Sequence, residues 1–145
     1  MEDKAVLISI HPDYVNKILS GEKLLEFRRS WTAIPAKLLV IYATSPMQRI
    51  VALAVIKQVH VGSKTKLWKL SQKIGGGISR RKLFSYLANK KNPVAIELAG
   101  VQKIPCVLDP KKLFGKDFRP PQSFCYLNNN AYLQIVKHKE ETGAG

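Results

Sequence analysis

The chain has 145 residues, 46% of them hydrophobic, which suits one domain with a packed core and excludes a disordered polymer. No apolar run reaches membrane-span length, and the opening MEDKAVLISIHP lacks the pattern of a signal peptide, so a cytoplasmic protein without a membrane partner is expected. Lysine and arginine total 24 against 10 aspartate and glutamate, a net charge of +14 that attracts polyanions, so nucleic acid is the expected partner, with a basic surface used only for solubility as the alternative.

Ala5–Ile10 reads as a strand, being rich in β-branched and aliphatic residues. Pro12 and Asp13 suit a helix start, Val15, Ile18 and Leu19 share a helical face, and Gly21 reads as the stop. Leu24–Arg28 is a second strand and Trp31–Ala36 a loop. Lys37–Ala43 is a third strand, apolar enough to be central, broken by Ser45-Pro46. Arg49–Ile56 is a fourth, extendable through Val59 and Val61 and able to form a hairpin with the third.

Leu67, Leu70 and Ile74 predict an amphipathic helix that Gly75-Gly76-Gly77 ends. The triplet follows no strand and lacks the Lys-Ser/Thr ending of a phosphate-binding loop, so it reads as a flexible connection. Ser79 is placed to cap the next helix, with Leu83, Phe84 and Leu87 inward. Arg80, Arg81 and Lys82 crowd its first turn, where the helix dipole disfavours cations; they serve either nucleic-acid contact or a solvated face. Val94–Leu98 and Val101–Val107 read as a strand and its continuation, Asp109-Pro110 as the start of a turn or short helix through Leu113, and Ser123–Leu127 as a last strand. Asn128–Asn130 can cap a final helix from Ala131 to about His138. Cys106 and Cys125 lack metal or redox spacing and are expected as buried free thiols, while His11, His60 and His138 are scattered. No metal or cofactor is expected. The order β-α-β-β-β-α-α-β-β-α predicts an α+β mixed barrel of about six strands, closed or nearly so, as one domain over residues 1–140 with a frayed tail at 141–145.

The most informative stretch is SGEKLLEFRRSW, residues 20–31. On a strand, Glu26 and Arg28 share one face and Leu25 and Phe27 the other, so a polar cleft can be lined there. Lys23 offers a cation for phosphate or, if desolvated, a base; Glu26 can accept from a base amino group or move a proton; Arg28 can clamp phosphate or fix Glu26. An internal Glu26–Arg28 pair is the plain alternative. Arg29 adds charge beside them. Trp31 either stacks a base or packs over the barrel end. His11 either titrates or caps, and Glu97 faces either the cleft or solvent.

The octapeptide Gly21–Arg28, G-x-K-x-x-E-x-R, resembles the signature of the ASCH domain, a module related to the PUA fold. Arg119–Phe124 with Tyr126-Leu127 is similar to the C-terminal PPQSF-x-YL segment of an ASCH branch described as predicted transcriptional regulators, and the resemblance runs along nearly the whole chain. It implies a PUA-like barrel whose signature faces a cleft and an RNA or nucleotide ligand; together with the charge pattern, the expected binding residues are Lys23, Glu26, Arg28, Arg29, Trp31, Arg80, Arg81, Lys82 and Ser123. The rival it implies is a metal-independent ribonuclease or nucleoside amidohydrolase using Lys23, Glu26 and Ser123. Ribonuclease members join the lysine to a serine and a tyrosine, for which Tyr14, Tyr42 and Tyr126 compete. Deacetylating members carry threonine where Glu26 stands, which argues against that activity. A ligand-sensing role inside a larger regulatory complex is a third expectation.

Overall fold

A computed structural model describes residues 4–32 and 35–143; Met1–Asp3, Ala33, Ile34, Ala144 and Gly145 lie outside it, including part of the predicted loop and tail. The elements are β1 (Ala5–Ile10), α1 (Pro12–Leu19), β2 (Leu25–Arg28), β3 (Leu38–Ala43), β4 (Arg49–Val61), α2 (Lys64–Leu70), α3 (Arg80–Tyr86), β5 (Val94–Leu108), α4 (Pro110–Phe114), β6 (Phe124–Leu127) and α5 (Asn129–Gly143). A π-helical turn, Ser71–Gly75, continues α2.

The six strands form one curled sheet in the order β2-β5-β4-β3-β1-β6. β1 pairs parallel with β3 and antiparallel with β6, and is buried along its whole length. β3 and β4 make the predicted hairpin. β4 and β5 are long and joined through several register shifts, where extra residues bend the ladder and increase its twist. The curl brings β2 back toward the opposite edge without backbone pairing across the gap. The result is a half-barrel of α+β class rather than a closed one.

Apolar packing follows the sequence periodicities. Val15 and Ile18 of α1 pack on Val6, Ile8, Leu39, Ile41 and Ile96 on one face of the sheet. Leu7, Val40 and Tyr42 turn to the other face and meet Ile135 of α5. Leu25 and Phe27 pack under α2 and α3 through Leu67, Leu83 and Leu87. Leu25 packs inward as the alternation predicts, while Phe27 reaches both this cluster and the hollow that Glu26 and Arg28 line.

Most helix starts form as expected. His11 caps α1, accepting from the Asp13 N–H at Nδ1 (3.2 Å), and Ser79 caps α3, accepting from the Lys82 N–H (3.2 Å). Asn128 Oδ1 accepts from the Ala131 N–H at the start of α5, whose backbone continues to Gly143, past the expected end near His138. Three expectations fail. Phe84 is half-buried beneath the cations of Lys64 and Arg80 (5.2 and 4.2 Å to its ring) instead of in the core. Cys106 and Cys125 are free, but Cys106 is exposed and Cys125 only half-buried, because they lie on the edge-side stretches of β5 and β6. Gly75–Gly77 is a packing segment and not a loose connection.

Candidate nucleic-acid cleft

The glycine triplet lies against the signature residues, and Gly77 packs on the Lys23 stem. Lys23 is 1% exposed, and its Nζ donates to the Gly76 carbonyl at 2.6 Å. The Leu24 N–H donates to the Gly75 carbonyl, so the triplet lies directly on the signature strand. A Cβ on Gly76 would collide with Ser71 Oγ and stand 3.0 Å from the Phe27 ring. At Gly77, φ is +60° and a Cβ would stand 2.9 Å from Lys23 Cβ. Gly77→Ala should therefore lower stability by about 2 kcal/mol, combining left-handed strain with crowding. Gly21→Ala has the strain (φ +85°) but open space, and should cost about 1 kcal/mol. Denaturant unfolding of both variants checks this; equal losses would show that Lys23 is not crowded.

Around Lys23 Nζ lie the rings of Tyr14 and Phe27, each 5.0 Å away, and Glu26 Oε1 at 3.8 Å. Burial holds the Lys23 amine below its ordinary pKa; Glu26 opposes that shift, and Lys17 and Arg28 add to it. Glu26 is itself buried, its Oε2 accepting from Arg28 Nη2 at 2.8 Å. The same Arg28 nitrogen donates to the Ser9 carbonyl (2.7 Å) and Nη1 to Ser123 Oγ (3.4 Å). Arg28 thus bridges from edge strand β2 to β1 and to the residue before β6, across the gap in the half-barrel. Its Nε is buried and has no hydrogen-bond partner among the described residues.

These groups floor a cleft of about 730 Å³ between α1, the end of β1 and α3. Its walls include Ile10, Tyr14, Phe27, Ile78 and Tyr86, and its rim carries Arg29, Arg81 and Lys82. Burial raises the Tyr86 phenol above its ordinary pKa, and burial together with Glu26 raises that of Tyr14, so both stay neutral at pH 7. The Arg29 guanidinium stacks 4.5 Å from the Tyr86 ring and donates to its backbone carbonyl at 2.9 Å. A groove through Lys17, Asn16 and Gly77 continues from the cleft along α1, sharing His11, Tyr14, Ile78, Ser79 and Lys82 with it.

The structure gathers Lys23, Glu26, Arg28, Arg29, Arg81 and Lys82 around one hollow and holds Ser123 at its edge through Arg28. Arg80 sits on Phe84 outside it. Trp31 is half-buried against Phe124, with ring centroids 4.6 Å apart, and does not line the cleft. Glu97 points elsewhere, pairing with His60 (2.8 Å) and Lys57 (3.4 Å). Tyr86 was not recognisable as a cleft wall from the sequence; it ends the basic helix α3, and only the meeting of α1 with α3 shows its position.

A second cleft, about 740 Å³, opens beyond the Arg119–Ser123 segment and is lined by Tyr42, Arg49, Asp109, Lys116 and Arg119 among others. Ser9, which lines the first cleft, pairs in the sheet with Tyr42 of the second; it donates from Oγ to the Pro121 carbonyl (2.7 Å) and from its N–H to the Ser123 carbonyl (3.0 Å). Of the three tyrosines weighed from sequence, Tyr14 lines the first cleft, Tyr42 the second, and Tyr126 is exposed on β6. No helix among the described residues is long and apolar enough to cross a membrane.

Residues 8–105 match the ASCH domain family. A Zymomonas mobilis protein named ASCH domain-containing ribonuclease is 29% identical over 136 residues, covering 92% of this chain and 90% of its own. The crystal structure of ASCH from Zymomonas mobilis superposes with a TM-score of 0.83 at 26% identity, covering 94% of this chain and 96% of the other. Serine-to-alanine and tyrosine-to-phenylalanine variants from the same organism superpose at 0.82 and 0.81, with 26% and 25% identity, covering 92% of this chain and 95% and 97% of theirs. The signature around Lys23, the half-barrel and the family match agree: this chain belongs to the ASCH domain family.

Proposed function

We propose that this ASCH domain binds single-stranded RNA and cleaves it. The observation that carries the reading is the relative named a ribonuclease, which aligns along nine-tenths of both chains. The cleft supports it: aromatic and aliphatic walls suit a base, the Lys23–Glu26–Arg28 floor supplies polar contacts, and Arg29, Arg81 and Lys82 on the rim, with Lys17 in the adjoining groove, suit phosphates. No acidic residue stands between Glu26 and Glu97, so nothing on the intervening α2–α3 face, with its lysines from Lys64 to Lys91, repels a polyanion.

Ser123 and Tyr42 are the hydroxyl groups assigned to cleavage. The serine and tyrosine replaced in the Zymomonas mobilis variants are separated along their chain by the same distance as Ser123 and Tyr42 here. Lys23 acts as a fixed cation under this reading, because its amine is buried and committed to the Gly76 carbonyl. Nothing favours the amidohydrolase alternative.

If four phosphates are neutralised, affinity for a short single strand should fall about 50-fold between 50 and 200 mM salt. Arg81→Glu combined with Lys82→Glu should weaken binding for every sequence and flatten that slope. Ser123→Ala and Tyr42→Phe should each slow cleavage about 10-fold or more while binding persists, about the effect of losing one charge-directed hydrogen bond. A wild-type protein that neither binds nor cuts short RNA at low salt overturns the proposal.

A further inference from the structure

The cleft floor contains a buried carboxylate, a group that can only accept. Glu26 is 7% exposed and lines the cleft. A carboxylate has about four acceptor sites, and a buried one with empty sites loses the hydration it had in water. Here Oε2 receives Arg28 and Oε1 ion-pairs with the Lys23 ammonium at 3.8 Å, which also donates to Gly76, so each oxygen has one cationic partner and acceptor capacity remaining. The cleft that Glu26 lines is also walled by Tyr14, Phe27, Ile78 and Tyr86, with the Lys23 amine 5.0 Å from the Tyr14 and Phe27 rings. A planar ring with N–H groups on its edge, entering that cleft, would donate to the acceptor sites that remain.

We infer that Glu26 is the specificity residue of this cleft and that it selects guanine. A carboxylate can only accept, so it matches best the edge offering two adjacent donors. Guanine presents N1–H beside its N2 amino group. Adenine and cytosine set one amino donor beside an acceptor, and uracil sets one N–H between two carbonyls. Hypoxanthine keeps the ring and N1–H of guanine but lacks the amino group. Arg28 and Lys23 hold the carboxylate in place, and Arg28 is therefore a positioning residue. This inference rests on the RNA-binding reading and deepens it.

The test varies the ligand first, so that no folding defect can intervene. Short oligonucleotides of uridine carrying a single central guanosine, inosine, adenosine or uridine are titrated by fluorescence polarisation at low salt. Guanosine should bind about 10-fold more tightly than inosine or adenosine, the effect of one hydrogen bond to a charged group. Glu26→Gln, checked for an unchanged unfolding midpoint, should bind all four with affinities within about two-fold, because its amide NH₂ no longer accepts. Should Glu26→Gln unfold, the wild-type series alone decides. Equal affinity for all four oligonucleotides in the wild type overturns the inference while leaving RNA binding intact. Absence of binding to any of them overturns both.

Discussion

Lys23→Ala is expected to remove about 3 kcal/mol of folding stability, lowering the thermal midpoint by about 10 °C for a chain of this size. Three losses combine. The Gly76 carbonyl loses its donor, Glu26 loses a neighbouring countercharge, and the stem that fills the space between Tyr14, Phe27 and Gly77 becomes a cavity. Lys23→Met should cost far less, because it keeps the stem and removes a charge that burial disfavours, while Arg28 still pairs with Glu26. The pH dependence separates the two effects. Burial lowers the folded-state pKa of Lys23 below its ordinary 10.5, so the unfolded chain holds this proton more readily. Its penalty on folding is present in full below the folded pKa and is relieved as pH rises toward 10.5, which gives stability an upward slope on the alkaline side. Lys23→Met should remove that slope relative to wild type. An alanine variant as stable as the methionine one would show that the stem contributes nothing.

Arg28→Lys is the second large effect. The guanidinium joins three partners at once: Glu26 on its own strand, the Ser9 carbonyl on β1 and Ser123 ahead of β6. An ammonium keeps the charge but lacks the planar fork, so it can hold one of these partners well and must release the others. The β2 edge faces β1 and β6 without backbone pairing, so this side chain carries the polar connection across the gap. A loss of about 2 kcal/mol is expected. Hydrogen exchange should rise locally at the end of β1, in β2 and at the start of β6, while the β3–β4 hairpin stays protected because its pairing is independent of the gap. RNA affinity should fall with it, since the cleft floor loosens. Unchanged exchange at these strand ends would mean that packing of α1 alone closes the half-barrel.

Local chemistry explains how much of this molecule could be read in advance. The strand and helix order was legible because each element carries its own period: Val15, Ile18 and Leu19 on α1, the continuous apolar run of β3, the alternation of Leu25 and Phe27 against Glu26 and Arg28. Caps at Ser79 and His11 were legible for the same reason, since a cap is decided within three residues. The signature octapeptide placed three charged residues together within one strand and its approach.

What the sequence could not decide were contacts made across long separations. The pairing of Lys23 with Gly76 joins positions 53 residues apart, and the Arg28–Ser123 contact 95 apart. The glycine triplet looks like a loose linker until the lysine stem is seen packed on it. Phe84 looks like core until Lys64 and Arg80 are seen over its face, and the choice for Trp31 between stacking a base and packing over the barrel end is decided only when Phe124 meets it. Local sequence determined which elements form and which face each one buries, because period, capping and turn chemistry act over a few residues. The curl of the sheet decided the rest: it brought the edge strand β2 within side-chain reach of β1 and β6, and only there do a buried lysine, a carboxylate and a guanidinium become the floor of one cleft.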